Sequence, residues 1–202
     1  MILGITGCPG SGKSIVAGVM AQHGWVLVDA DEIGHEVVDR HPDVLMELAD
    51  SFGSEIMDVH GKLNRRELSR RAFAKPEKIQ ILNSIVHPGL IKHLQGKVEE
   101  IRSKNLNGVV DCALIFEWGI EKLFDFVVCV SSDEYLRKKR LMDRDGRSSE
   151  EIEGMFSAQL PECEKVRKAD IVITNHNSTE RMKMFGAMLA ELPRIVRNEQ
   201  LA

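Results

Sequence analysis

Gly7-Cys8-Pro9-Gly10-Ser11-Gly12-Lys13-Ser14 fits the pattern G-x-x-x-x-G-K-[ST] at every fixed position. Upstream of it, Ile2–Thr6 is a short apolar run. Downstream, residues 13–23 are compatible with a helix. Strand, tight turn and helix in that order are the context in which this pattern binds phosphate. The glycines let the backbone curl so that several N–H groups face one anion, and the helix start adds the positive end of its dipole. The ligand this predicts is ATP, held by Gly10, Ser11, Gly12, Lys13, Ser14 and Ile15, with Lys13 on the β- and γ-phosphates and the Ser14 hydroxyl on Mg²⁺.

A second apolar run at residues 25–28 leads into Asp29-Ala30-Asp31, after a crossover of the length a βαβ unit needs. From 32 to 104 the apolar period becomes helical, through Val37, Val38, Val44, Leu45 and Leu48, then Ile79, Leu82, Ile85 and Val86, then Leu90, Ile91, Leu94, Val98 and Ile101. Strand character returns at 108–116, at 124–130 and at 170–174. Charged helical stretches are expected at 134–144, 149–168 and 178–192, the last with Ser178 as N-cap. The expected fold is α/β, a doubly wound five-stranded parallel sheet with strands at 2–6, 25–28, 108–111, 126–130 and 171–173. Residues 1–31 and 105–202 form the P-loop NTPase core in this reading. Residues 32–104 form a helical acceptor-binding insertion, and about 140–165 a helical lid.

With 202 residues, 27 basic against 31 acidic, and a net charge of −4, the chain offers no basic field for nucleic acid, and a small soluble partner is expected. Cys8, Cys112, Cys129 and Cys163 form no C-x-x-C pair, and no apolar run is long enough to span a bilayer. Reduced thiols, a cytoplasmic location and no membrane contact follow. The seven histidines show no zinc-site spacing. Cys8 is read as an unreactive loop thiol, the alternative being an oxidation-sensitive thiolate at a helix start.

The loop does not separate kinases from other nucleotide-binding proteins, so further residues must. No N-K-x-D element is present, and the two D-x-x-G matches, at 50–53 and 58–61, fall in the helical stretch and are taken as coincidences. Arg137, Arg140, Arg144 and Arg147 suit a lid that clamps transferring phosphates, with a solvated helix face as the alternative. Asp29 and Asp31 end the second strand, where ligands of such sheets collect. One of them is read as the group that takes the acceptor hydroxyl's proton. The competing role, N-cap of the helix that follows, fits Asp31 by position. Asp111 ends the third apolar run like a Mg²⁺-holding carboxylate, or else serves as a cap.

Over essentially its full length the chain resembles the dephospho-CoA kinase family. The likeness runs through Gly4-Ile5-Thr6-Gly7 with Gly10 to Ser14, the Asp29-Ala30-Asp31 triplet, Arg65-Arg66-Glu67-Leu68 with Phe73, His87-Pro88 and Ala113-Leu114-Ile115-Phe116-Glu117. It continues through Arg140-Leu141 with Arg144, Gln159, and Ala169-Asp170 with Ile173 and Asn175. The resemblance implies ATP and dephospho-CoA as substrates with Mg²⁺, and transfer to the ribose 3′-hydroxyl. It implies Lys13, Asp31 and Arg140 as the catalytic set, with Asp29, Asp31, His87 and Glu117 on the acceptor side. Arg140 and Arg144 then contact ATP phosphates, and Asn175 lies near adenine. Taken alone, His87 reads as a helix-start residue before Pro88. Four positions depart from the family pattern, Cys8, Pro9, Ile15 and Ala113. Pro9 deletes one N–H, so weaker ATP binding is the most that is expected. The rivals, a kinase for another small alcohol or nucleotide and a non-catalytic ATP-binding module, differ from this reading in acceptor-stimulated ADP release.

Overall fold

The computed structural model describes residues 1–72 and 74–199. Phe73 lies outside the described residues. Strands β1 (Ile2–Thr6), β2 (Val26–Asp29), β3 (Gly108–Asp111), β4 (Phe126–Ser131) and β5 (Ile171–Thr174) pair in parallel in the order β2-β3-β1-β4-β5. β1 and β3 are buried at every residue, as strands covered on both faces must be. The helices are α1 (Lys13–Gln22), α2 (Ala30–Arg40), α3 (Pro42–Phe52), α4 (Arg65–Ala72), α5 (Pro76–Ser103), α6 (Glu134–Asp145), α7 (Ser149–Ser157), α8 (Glu162–Lys168), α9 (Thr179–Ala190) and α10 (Leu192–Glu199).

One face of the sheet packs on α1 and α9 through Val16, Ala17, Met20, Met182 and Leu189. The other packs on α2 and the second half of α5 through Ile33, Val37, Leu90, Leu94, Val98 and Ile101. Between β2 and β3, a third cluster built on Leu48, Phe52, Ile56, Leu68, Ala72 and Ile85 holds α3, α4 and the first half of α5 together. β1 lies between β3 and β4, so the chain turns to opposite sides from it. The loop after β1 therefore opens into the crevice where such sheets bind ligands.

The expected five-stranded parallel sheet is present with its third strand at 108–111 as expected, and three helical features are corrected. The apolar run continues past this strand to Phe116. Ile115 and Phe116 leave the sheet and fill the core beside Phe124, a use that continuous hydrophobicity does not distinguish from strand. The helix expected at 149–168 is two helices, broken where Pro161 denies the backbone its N–H. The tail helix ends at Ala190 and restarts at Leu192, while Ser178 caps α9 by accepting from the Arg181 N–H, as expected. His87 starts no helix, because α5 runs 28 residues straight through Pro88.

Candidate active site

The phosphate loop is built for close approach. Gly7 has φ +142°, and a Cβ there would sit 2.2 Å from the Val130 carbonyl oxygen. Gly12 has φ +100°, and its Cβ would meet the Asn175 amide nitrogen at 2.8 Å. Neither position tolerates a side chain. α1 begins at Gly12 with no side-chain cap and no acidic residue in its first turn, whereas α2, α6, α7 and α9 each carry a side-chain cap. The open N–H groups of α1 are thus left for an anion. Pro9 has no N–H, and the Ser11 N–H is spent on the Cys8 carbonyl, so donors fall to Gly10, Gly12, Lys13 and Ser14. The Ser11 hydroxyl is buried with no partner among the described residues, and the Ser11 carbonyl accepts from the Asn175 amide. Cys8 is 5% exposed and burial pushes its thiol pKa up, which agrees with the unreactive reading.

Three carboxylates gather at the carboxyl end of the sheet, where Asp29 and Asp111 are register partners across β2 and β3. The cap role weighed for Asp31 belongs to Asp29. Asp29 has extended backbone, and its Oδ1 accepts from the N–H groups of Asp31 (2.8 Å) and Glu32 (3.4 Å). Asp29 does not line the cavity, whereas Asp31, in the first turn of α2, does. The Asp31 carboxyl is raised above its ordinary pKa, first by burial and then by the charge of Asp29, with Lys13 and His35 opposing. Asp111 is likewise raised by burial, and its Oδ2 accepts from the Ser14 hydroxyl at 2.7 Å. A hydroxyl and a carboxylate oxygen side by side are the hard donors that suit Mg²⁺, whose remaining ligands are ordinarily phosphate and water.

The four arginines divide. Arg140 reaches the loop, its guanidinium donating to the Gly10 carbonyl (2.8 Å), the Ser132 hydroxyl (3.0 Å) and Asn177 Oδ1 (3.2 Å). Arg144 lines the cavity with its fork closed on Asp145 (2.6 and 2.8 Å). Arg147 also lines it, with a buried Nε that has no partner among the described residues. Arg137 does not line it. Arg137 is 5% exposed, donates to the Ser132 carbonyl and lies 4.6 Å over the Phe156 ring, so it anchors α6 to α7. Asn175, expected near adenine, lines the cavity yet spends its amide on the Ser11 carbonyl (2.8 Å), bracing the loop.

One cavity of about 1000 Å³ runs from Lys13 and Ser14 past Asp31 to an apolar flank formed by Val38, Leu68, Leu82 and Val86. His87 faces it and packs edge-on against Trp118, ring centroids 4.5 Å apart. Burial lowers its pKa to about 4, so the ring is neutral at neutral pH. Glu117, expected on the acceptor side, is elsewhere. Its Oε1 accepts from the Leu160 N–H (2.8 Å) and pairs at 2.8 Å with Lys165, whose side chain is fully buried. The Lys165 ammonium also donates to the Ala113 carbonyl and to Gln159, and so ties the loop after β3 to the turn between α7 and α8. Ala113 lines the cavity, and its carbonyl is also bonded by the Thr6 hydroxyl, so the departure at this position leaves those bonds in place.

Lys165, Ser132, Asn177 and Trp118 escaped the sequence reading. Each works by burial or by contact with a segment distant in sequence, which no local pattern encodes. Lys165→Met is expected to destabilise the protein by about 3–5 kcal/mol, read as a loss in urea unfolding, because it strands the Glu117 charge.

A family model described as dephospho-CoA kinase matches residues 1–181 of the chain. The dephospho-CoA kinase of Carboxydothermus hydrogenoformans is 37% identical over 182 residues, covering 89% of this chain and 87% of that protein. That of Corynebacterium diphtheriae is 37% identical over 189 residues, covering 93% and 94%. Among solved structures, TT1252 from Thermus thermophilus superposes with a TM-score of 0.74 at 32% identity, over 95% of this chain and 97% of that one.

Proposed function

Since the chain belongs to the dephospho-CoA kinase family, we propose that it transfers the γ-phosphoryl group of ATP to the ribose 3′-hydroxyl of dephospho-CoA, giving CoA and ADP as the last step of coenzyme A synthesis. The observation that carries this reading is the single cavity joining an uncapped phosphate loop, a buried carboxylate and an apolar helical flank. In it the β- and γ-phosphates rest on the N–H groups of Gly10, Gly12, Lys13 and Ser14, with Ile15 behind them. Lys13 neutralises the charge that spreads over the transferring group.

Asp31 takes the 3′-hydroxyl proton and aligns the attacking oxygen. Asp29 is spent as a cap, and its part is to fix the start of α2 that carries Asp31. Ser14 and Asp111 would hold Mg²⁺, which when bound neutralises the phosphates and fixes their geometry. Arg140 stiffens the loop at Gly10 and presents its positive charge there. The Arg144 fork becomes available on leaving Asp145 as the segment 140–165 closes. Residues 32–104 receive the acceptor, and His87 meets it as a neutral hydrogen-bonding group. Among the described residues no helix is long and apolar enough to cross a membrane. The four free cysteines support a reducing, cytoplasmic setting.

The test is ADP release from ATP and Mg²⁺ with dephospho-CoA, adenosine, AMP, shikimate and pantothenate as separate acceptors. Strong stimulation by dephospho-CoA alone, with CoA formed, is the expected result. Stimulation by a different acceptor alone, or none while ATP is bound, overturns the reading.

A further inference from the structure

Five Lys and Arg side chains line the cavity, and four of them, Lys13, Arg140, Arg144 and Arg147, come from the phosphate loop and the α6–α7 region. Arg65 is the single one contributed by the helices between β2 and β3. It opens α4, and its partner is Asp39 near the end of α2, reached by one hydrogen bond of 2.6 Å, with the two side chains 40% and 57% exposed. An exposed pair of this kind adds little to stability. A guanidinium facing a ligand cavity is thus held by a partner from which it is easily released.

The acceptor places a demand at this position. Dephospho-CoA carries a 5′-diphosphate between its ribose and its long pantetheine arm. With the 3′-hydroxyl at Asp31, the diphosphate must lie part-way along the cavity toward the helices. Asp31 and Asp39 are eight residues apart on α2, a rise of about 12 Å. The acceptor's diphosphate is joined to its 3′-hydroxyl through the ribose and C5′, so it too lies away from Asp31 on the side toward the helices. Beyond Arg65 the wall is apolar at Leu63, Leu68, Leu82 and Val86 with one amide at Asn83, a lining suited to an arm of methylenes broken by amides.

We propose that Arg65 is the cation that binds the acceptor's 5′-diphosphate, and that Asp39 parks its guanidinium until the acceptor arrives. The inference rests on the acceptor assigned above. The planar fork of Arg65 offers paired N–H groups to phosphate oxygens, which a lone ammonium does not. Binding there sets how far the ribose penetrates, and so places the 3′-hydroxyl against Asp31.

The test compares wild type with Arg65→Gln, Arg65→Lys and Asp39→Asn, measuring KM for dephospho-CoA, KM for ATP, kcat and Tm. Arg65→Gln is expected to raise KM for dephospho-CoA roughly ten- to hundredfold, with KM for ATP and Tm unchanged and Arg65→Lys recovering part of the loss. Asp39→Asn, which frees the guanidinium, is expected to leave that KM unchanged or lower it. If Arg65 merely clamped α4 to α2, the Arg65→Gln and Asp39→Asn variants would lose alike, and that result overturns the proposal. So does a KM for dephospho-CoA within about twofold of wild type in Arg65→Gln. Failure of the wild type to use dephospho-CoA at all would instead remove the acceptor assignment, and this inference with it.

Discussion

Lys13→Ala is expected to lower kcat/KM by about 10³-fold, because a positioned charge on the transferring phosphate in a water-poor site is worth several kcal/mol. Among the described residues the Lys13 ammonium takes part in no hydrogen bond or ion pair, but its charge eases the ionisation of buried Asp31 and Asp111, so the same change should lower Tm only slightly. The loop glycines and the Asn175 and Arg140 braces hold the cradle without it. Steady-state kinetics alongside a thermal melt separates lost chemistry from lost folding. A Lys13→Ala protein that turned over at the wild-type rate would remove the phosphate-loop reading altogether.

Asp31→Asn is expected to lower kcat by about 10²–10⁴-fold while ATP binding holds, since it keeps the side chain's shape and removes its basicity. Its effect on stability should have the opposite sign. Burial and the neighbouring Asp29 raise the folded-state pKa of Asp31 above its ordinary 3.8. Between the ordinary and the raised value the folded protein binds more protons than the unfolded chain, so stability falls as pH rises through that window. At neutral pH the cost of ionising Asp31 is fully present, and the amide removes it. Tm at pH 7 should therefore stay level or rise as activity collapses. In the wild type, log kcat should climb with pH below the raised pKa and then level off, an inflection the Asn variant lacks. A variant with kcat within a few-fold of wild type and the same inflection would transfer the base role away from Asp31.

The phosphate loop and the parallel strands were legible because their signals are local, namely fixed glycines between an apolar run and a helix-forming run. The choice between Asp29 and Asp31 was not. Both stand at a strand end before a helix, and only the extended backbone at Asp29 decides which of them caps. The arginines of α6 posed the same difficulty on a helix surface. Arg137 and Arg140 are three residues apart and share Ser132 as a partner, yet one is sealed under Phe156 and the other touches the loop. Glu117 and Lys165 lie 48 positions apart in the chain, and nothing in the charge pattern of either segment announces that they pair in the interior. Their sign and spacing match those of ordinary surface residues. His87 was misplaced for a simpler reason, that proline ends most helices but not α5.

The unbroken course of α5 has a mechanical consequence. At 28 residues it is a rod about 42 Å long, its first half packed with α3 and α4 and its second half packed against the sheet. Near its middle Pro88 lacks the N–H that would bond the Ser84 carbonyl, and the adjacent Gly89 lets α2 come so close that a Cβ would sit 2.9 Å from a methyl of Val37. The two halves of the molecule are joined there by a beam with a soft point, not by a slack tether. A substitution that bent or stiffened α5 at Pro88 would thus be felt in both clusters at once, because the same helix carries residues of each.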